Sequence, residues 1–213
     1  MATALLPPTL GLPITTLFVD IGGVLLTNGW TLAARQLAAA TFDLDAAELE
    51  QRHHLLFSTY ELGRLSLADY LGYAVFYQPR SFGTPAFQDF MLAQSQPYPD
   101  MLALVRQLKT KYHLKIVVVS NEGRELNAHR IQAFGLAAFV DFFVSSSFVH
   151  VSKPDAAIFR LALDLAQTPA EQILYLDDQP LFISVAAGLG IQGICHQDYA
   201  TTCARLADFG LAL

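Results

Sequence analysis

The chain carries only two cysteines, Cys195 and Cys203, in 213 residues. That is too few to staple a fold, so the core must hold itself together by burial, and both thiols are read as reduced. Charge is sparse as well. Charged residues make up 15% of the sequence, the 13 lysines and arginines form no basic cluster, and the formal net charge is −6. These features exclude a protein built to follow a nucleic-acid backbone. They leave room for a small anionic substrate, because a metal ion and one lysine can set the local potential. No window is apolar for long enough to span a bilayer, and Met1-Ala2-Thr3-Ala4-Leu5-Leu6-Pro7-Pro8 lacks the basic start and long apolar stretch of a signal peptide. A cytoplasmic location with no membrane partner is therefore expected. Internal repeats and low-complexity tracts are also missing.

What the sequence does have is apolar material, 53% of its residues, enough for a substantial core in one domain or in one domain with an insertion. Four apolar runs end in the same way. Leu17-Phe18-Val19 stops at Asp20, followed by Ile21-Gly22-Gly23, and Ile116-Val117-Val118-Val119 stops at Ser120-Asn121. Phe142-Phe143-Val144 stops at a serine triplet followed shortly by Lys153, and Ile173-Leu174-Tyr175-Leu176 stops at Asp177-Asp178. Open parallel sheets bind ligands outside the carboxyl ends of their strands, so these polar endings should converge on one crevice.

Between the first run and the rest, helical periodicity holds from about Thr31 to Gln94, with no strand to interrupt it. Thereafter helices near 99–111, 123–134, 154–167 and 180–189 alternate with strands near 114–119, 141–145, 172–176 and 191–194. Such alternation predicts a parallel sheet with crossover helices. The block 30–95 is then an inserted helical lid, and 14–29 with 96–213 form the core. Residues 1–13 read as a loose lead-in. Asn28-Gly29, between apolar residues, predicts a hairpin flap over Asp20, and Pro154 is placed in the first turn of the helix after Lys153.

A carboxylate on a buried strand edge, joined by two more from another strand, can hold a hard cation such as Mg²⁺. An aspartate can also act as a nucleophile and form an aspartyl-phosphate. Lys153 would balance the charge while the Ser120 hydroxyl and nearby N–H groups hold the equatorial oxygens. Gly22 and Gly23 let the main chain turn tightly and approach the ligand.

Taken together, Asp20-Ile21-Gly22-Gly23-Val24-Leu25, Ser120, Ser152-Lys153-Pro154-Asp155 and Asp177-Asp178 resemble, in order and spacing, the four motifs of the haloacid dehalogenase-like (HAD) hydrolases. The likeness runs from about Thr15 through nearly the whole chain. It implies a three-layer, Rossmann-like α/β core with an inserted helical cap at 30–95. It further implies that Asp20 is nucleophile and Mg²⁺ ligand, with Ser120 and Lys153 catalytic. The Gly22 carbonyl and Asp178 would be further ligands, and Asp177 would support the metal directly or through water. Gly22, Gly23 and Asn121 would contact substrate, although Asn121 could equally cap the following helix.

One position departs from the pattern. Phosphatases of this superfamily commonly carry a second aspartate two residues after the nucleophile, and Gly22 stands there. General acid–base help contributes about 10²–10⁴-fold, so its loss points to an easier leaving group or to an acid supplied by solvent or cap. Members of the form Asp-x-Gly-[Gly/Asn]-Val are similar to sugar-phosphate phosphatases, including ones that act on glucose 1-phosphate. The 2-haloacid dehalogenases also lack the second aspartate, but they need no metal, whereas this chain keeps Asp177-Asp178. The expected activity is thus Mg²⁺-dependent hydrolysis of a small phosphorylated metabolite by a monomer or homodimer. The alternatives are carbon–halogen hydrolysis and phospho-ligand binding with little turnover.

Several residues stay outside that set. His53 and His54 are adjacent on a helix and face different ways, so they cannot form a metal pair. His113, His129, His150 and His196 have no partner at ligand spacing. Tyr60-Glu61-Leu62-Gly63-Arg64-Leu65-Ser66 resembles a cap segment that touches substrate and reads equally as a solvated helix end. Trp30 is expected to pack the flap, and Phe82, Phe87 and Phe90 to serve cap packing or a dimer contact.

Overall fold

The computed structural model describes residues 12–213, so the lead-in expected at 1–13 falls outside them except for Leu12 and Pro13. Each apolar run becomes a strand: β1 (Thr16–Val19), β2 (Lys115–Ser120), β3 (Phe142–Ser145) and β4 (Ile173–Asp177), followed by β5 (Gln192–Cys195). They form one parallel sheet in the order β3-β2-β1-β4-β5. The chain leaves β1 towards β2 and β3 on one side and returns to β4 and β5 on the other. The crevice beside β1 is therefore the switch point where such sheets bind ligands.

Side chains alternate across the sheet, and this alternation builds a core on each face. Leu17, Val19, Ile116, Val118, Leu174 and Leu176 join one cluster with Met101, Leu104, Val105 and Leu108. Phe18, Val117, Val119, Val144 and Tyr175 join the other with Ile158, Phe159 and Ala162. Among the described helices of the core, α5 (Pro99–Tyr112) and α10 (Tyr199–Asp208) cover the first face. Helices α8 (Ala156–Ala166) and α9 (Pro180–Ala187) cover the second, while α6 (Arg124–Ala133) and the short α7 (Ser146–Val149) flank β3. The result is the expected three-layer, Rossmann-like α/β sandwich. Fully burying one Leu, Ile or Phe stabilises it by about 1.5–3 kcal/mol.

The insert between β1 and β2 consists of α1 (Leu32–Thr41), α2 (Ala46–Glu61), α3 (Leu67–Ala74) and α4 (Thr84–Ala93). Its starts are legible in the sequence: the Thr31 side chain caps α1, Asp45 caps α2, and Ser66 with Asp69 forms a reciprocal capping box on α3. The buried residues of the insert form their own cluster, running from Trp30 to Met91. Phe82, Phe87 and Phe90 all touch the Phe42 ring, so they serve packing within the insert.

Two local expectations are corrected. The chain does not turn back at Asn28-Gly29. It folds earlier, where Leu25 and Leu26 N–H both donate to the Ile21 carbonyl and Gly23 N–H donates to Leu26. Gly23, at φ +73°, makes that turn possible, and Leu26 then bridges to Pro97, closing the base of the insert. Pro154 lies before α8, whose N-cap is Asp155. Helix α10 lies beyond the alternation read from the sequence, and of its residues only Thr202 and Leu206 are buried.

Candidate active site

Register brings the motif residues together. Val19 stands opposite Val118 and Leu176, so Asp20 leaves its strand level with Asp177 and one residue before Ser120. Lys153 arrives on the loop between α7 and α8 and is buried among them. Its Nζ lies 3.0 Å from Asp20 Oδ2, 2.7 Å from Asp177 Oδ2 and 3.2 Å from the Tyr175 hydroxyl. Burial alone would lower the lysine's pKa, but Asp20 and Asp177 outweigh it and hold the ammonium above its ordinary value. Burial raises the Asp20 carboxyl, Lys153 pulls it down and Asp177 pushes it up, leaving it above the usual carboxylate range. Ser120 also draws the Asp20 carboxyl downwards, and the Ile21 N–H donates to Asp20 Oδ1 at 2.8 Å.

The two acids after β4 have separate surroundings. Asp177 is completely buried, and both of its oxygens are engaged: Oδ1 accepts from Gln179 N–H at 2.7 Å, while Oδ2 accepts from Lys153 and the Tyr175 hydroxyl. Asp178 is half-buried and accepts only from amide side chains, Gln179 at 3.1 Å and Asn28 at 3.4 Å. Gly23 is packed so closely against Asp178 that a β-carbon there would lie 2.4 Å from its Oδ2. Asp20, Asp177 and Asp178 can each present an oxygen, all within 4.8 Å of one another. Oxygen donors this close, with no sulfur or imidazole among them, suit a hard cation such as Mg²⁺.

Asn121 lines the cavity and does not cap α6, and its amide has a further task. Its Nδ2 donates to the Lys153 carbonyl and its Oδ1 accepts the Lys153 N–H, both at 2.9 Å. The residue clasps the main chain of the lysine, and Gly123, with no side-chain cap, precedes α6.

Above these groups lies a cavity of about 220 Å³. Asp20, Gly22, Ser120, Asn121, Lys153 and Asp178 line its floor, and Trp30, Phe57 and Glu61 of the insert line its other side. Trp30 is nearly buried, donates to the Tyr70 hydroxyl at 2.9 Å and meets Phe87 edge-on. His53 shares that hydroxyl at 3.0 Å, and burial keeps it neutral, with its pKa lowered to about 4. The Tyr60–Gly63 segment is no solvated helix end. Tyr60 is fully buried, and burial pushes the Glu61 carboxyl up to about 8, helped by Glu122 and Asp20. Arg64 is exposed.

Sequence reasoning missed Tyr175, which looks like one more apolar residue of its strand, and the buried pair of Glu122 and Arg130. Arg130 also donates to Ser95 Oγ at 3.0 Å and to the Thr27 carbonyl at 3.3 Å, gripping both chain crossings into the insert. Glu122 could have been suspected from its place directly after Ser120-Asn121. Nothing in the sequence separates Arg130 from a surface arginine of α6.

The comparisons with known proteins bear on the family and the fold. A family model described as haloacid dehalogenase-like hydrolase matches residues 14–190. No curated protein sequence matches the chain. Among solved structures, an HAD family enzyme from Bacteroides thetaiotaomicron superposes with TM-score 0.71 at 16% identity, covering 89% of this chain and 98% of its own. The same enzyme, solved in complex with magnesium and inorganic phosphate, gives 0.69 at 17% identity and the same coverage. An HAD-like hydrolase from Porphyromonas gingivalis gives 0.72 at 18% identity, covering 91% and 98%. An L-2-haloacid dehalogenase gives 0.62 at 19% identity, covering 85% and 86%. At such identities the likeness concerns the fold.

Proposed function

The chain belongs to the haloacid dehalogenase-like hydrolases, and from that premise we propose that it is a Mg²⁺-dependent phosphatase of a small phosphorylated metabolite, with residues 30–95 acting as a cap. The observation that carries the reading is the close set of Asp20, Asp177 and Asp178, the first two paired with the buried Lys153. A haloacid needs no such set of acids, whereas a phosphoryl group and its cation do. Asp20, the Gly22 carbonyl and Asp178 would hold Mg²⁺, with Asp177 in support. When bound, the ion neutralises charge on the phosphoryl oxygens.

Asp20 attacks phosphorus and forms an aspartyl-phosphate, which water then opens. Lys153, held in place by Asp177, Tyr175 and Asn121, and the Ser120 hydroxyl bind the equatorial oxygens throughout. Asp177 has both oxygens occupied, so it fixes the lysine, while the half-exposed Asp178 is better placed to reach an ion. The cavity of about 220 Å³ suits a metabolite and not a macromolecule. An anomeric sugar phosphate, such as a glucose 1-phosphate, or an acyl phosphate makes the least demand on the acid that Gly22 lacks. A soluble cytoplasmic enzyme, as monomer or homodimer, goes with this reading, and no described helix is long and apolar enough to cross a membrane.

Carbon–halogen hydrolysis through an ester to Asp20 is the second reading, favoured by Gly22 itself. The two are separated by measuring phosphate and halide release from a panel of sugar 1-phosphates, acyl phosphates, alkyl phosphates and 2-haloacids, with Mg²⁺ or EDTA. Phosphate release that needs Mg²⁺ and disappears in Asp20→Asn is the expected result. Halide release that survives EDTA would replace the phosphatase reading. Absence of both would leave phospho-ligand binding as the role of the site.

A further inference from the structure

We propose that Glu61, carried by the cap, is the general acid and base that Gly22 leaves out of the core. The inference rests on the phosphatase reading and adds a catalytic residue to it. In the first step a bond forms between an Asp20 oxygen and phosphorus as the bond to the leaving oxygen breaks. The leaving oxygen keeps the electron pair and takes the Glu61 proton. In the second, water bonds to phosphorus, the bond to Asp20 breaks with its electron pair returning to the carboxylate, and the water proton passes to Glu61.

The carboxyl groups lining the cavity are those of Asp20, Asp178, Glu61 and Glu122. Asp20 is the nucleophile, Asp178 the ion's ligand, and Glu122 is ion-paired with Arg130 in full burial. Glu122 keeps its second oxygen buried without a partner, so of the four only Glu61 has neither an assigned role nor an ion pair. A β-carbon at position 22 would lie 2.7 Å from Asn28 Oδ1, so an acid there requires that exposed amide to turn aside.

The segment around Glu61 is docked onto the core on two sides. Ser146 Oγ donates to the Glu61 carbonyl at 2.6 Å and accepts the Glu122 N–H at 2.9 Å, so one hydroxyl joins the cap to the loop after β2. The His150 ring bonds the Leu62 carbonyl at 2.8 Å. Gly63, at φ +66°, packs onto Ser147, where a β-carbon would lie 2.1 Å from the carbonyl oxygen. On the other side the Tyr60 ring lies over Gly123, and the Leu126 N–H donates to its hydroxyl at 3.4 Å. An acid must be positioned before its pKa matters, and this docking fixes the residue at the cavity wall.

The surroundings also favour a proton that can be given and retrieved. Burial is the largest influence, Glu122 and Asp20 add to it, Lys153 and Arg130 oppose it, and the balance puts the carboxyl at about 8. A catalytic acid works best with a pKa near the operating pH. A bound cation lowers this value and a phosphoryl dianion raises it, so the two charges of the loaded site act against each other.

The test compares wild type with Glu61→Gln, in Mg²⁺, on an alkyl phosphate and on p-nitrophenyl phosphate, whose leaving group needs no proton. Wild type is expected to lose alkyl-phosphate turnover as pH rises through the Glu61 pKa. In Glu61→Gln the alkyl-to-aryl rate ratio falls by about 100-fold, that alkaline limb disappears, and acid quenching with the aryl substrate traps phosphorylated Asp20. Glu61→Asp, which keeps the acid, recovers part of the ratio. Ser146→Ala, which only loosens the docking, lowers the ratio less and serves if Glu61→Gln fails to fold. Equal losses on both substrates with no trapped phosphoenzyme would overturn the assignment and make Glu61 a cap-docking residue. If wild type itself releases no phosphate from either substrate or from the metabolite panel, the phosphatase reading falls and this inference with it.

Discussion

Lys153 is the residue whose loss the site tolerates least. It is the ammonium between Asp20 and Asp177, and all three groups are buried. Removing one member of a buried charge set costs about 3–5 kcal/mol, because the groups left behind keep their desolvation penalty. Lys153→Met should lose that much stability in urea unfolding without metal, and Mg²⁺ should restore more of it than it adds to wild type. Gly23 allows a second test. An alanine there is strained at φ +73° and pushes into the Asp178 carboxylate, so Gly23→Ala should weaken Mg²⁺ binding in calorimetry, and the idea fails if affinity is unchanged. At this scale the sequence was readable where chemistry follows directly on an apolar run, as with Asp20, Ser120 and Asp177-Asp178. Tyr175 was hidden inside such a run, because the buried environment that turns its hydroxyl towards Lys153 and Asp177 comes from other segments.

Among the elements, α2 and α6 decide how the insert meets the core. Arg130 of α6 grips Thr27 and Ser95, the two crossings, and neutralises Glu122. Arg130→Ala leaves Glu122 buried and unpaired, which should cost about 3–5 kcal/mol in denaturant unfolding. It should also speed amide hydrogen exchange at Thr27 and Gln96, whose N–H groups bond across the crossing. The end of α2 is subject to a steric condition: a β-carbon at Gly123 would overlap the Tyr60 ring at 2.0 Å. Gly123→Ala should therefore lift the Tyr60–Gly63 segment and expose it to proteolysis while the sheet stays protected. Helix starts such as Asp45 and Ser66 were legible because a cap is a local bond between neighbours in sequence. The turn at Gly23–Leu26 was misplaced to Asn28-Gly29 because Leu26 pairs with Pro97, a partner brought by the far end of the insert.

For the whole molecule, Glu61 and His53 make pH act in opposite directions, with burial raising the Asp20 and Glu122 carboxyls in the same sense as Glu61. Glu61 binds its proton more tightly folded, at about 8, than unfolded, at about 4.5. Its contribution to stability is full below the unfolded value and is lost as pH rises towards 8, at no more than about 1.4 kcal/mol per unit. His53 is shifted the other way, from 6.5 to about 4. Its contribution is full above 6.5 and is lost as pH falls through 4. Thermal melts in EDTA should show highest stability between these limbs. Glu61→Gln should flatten the alkaline limb alone, and an unchanged limb would contradict the buried, protonated state of Glu61.

The sequence by itself determined the sheet, the layers and the converging ends of its strands, because apolar runs, their length and the residue that follows each are local properties. It determined the helical character of the insert for the same reason. Only the tertiary structure decided which carboxyl of the insert reaches the cavity, that Asn121 clasps Lys153, and that Arg130 is a buried joint and not a surface charge. A helix pattern states which face is apolar. It does not state what stands opposite a polar residue at the helix end, and the balance of burial and charge that shifts Glu61, Lys153 and Asp20 exists only once β1, β2, β4 and α2 have met.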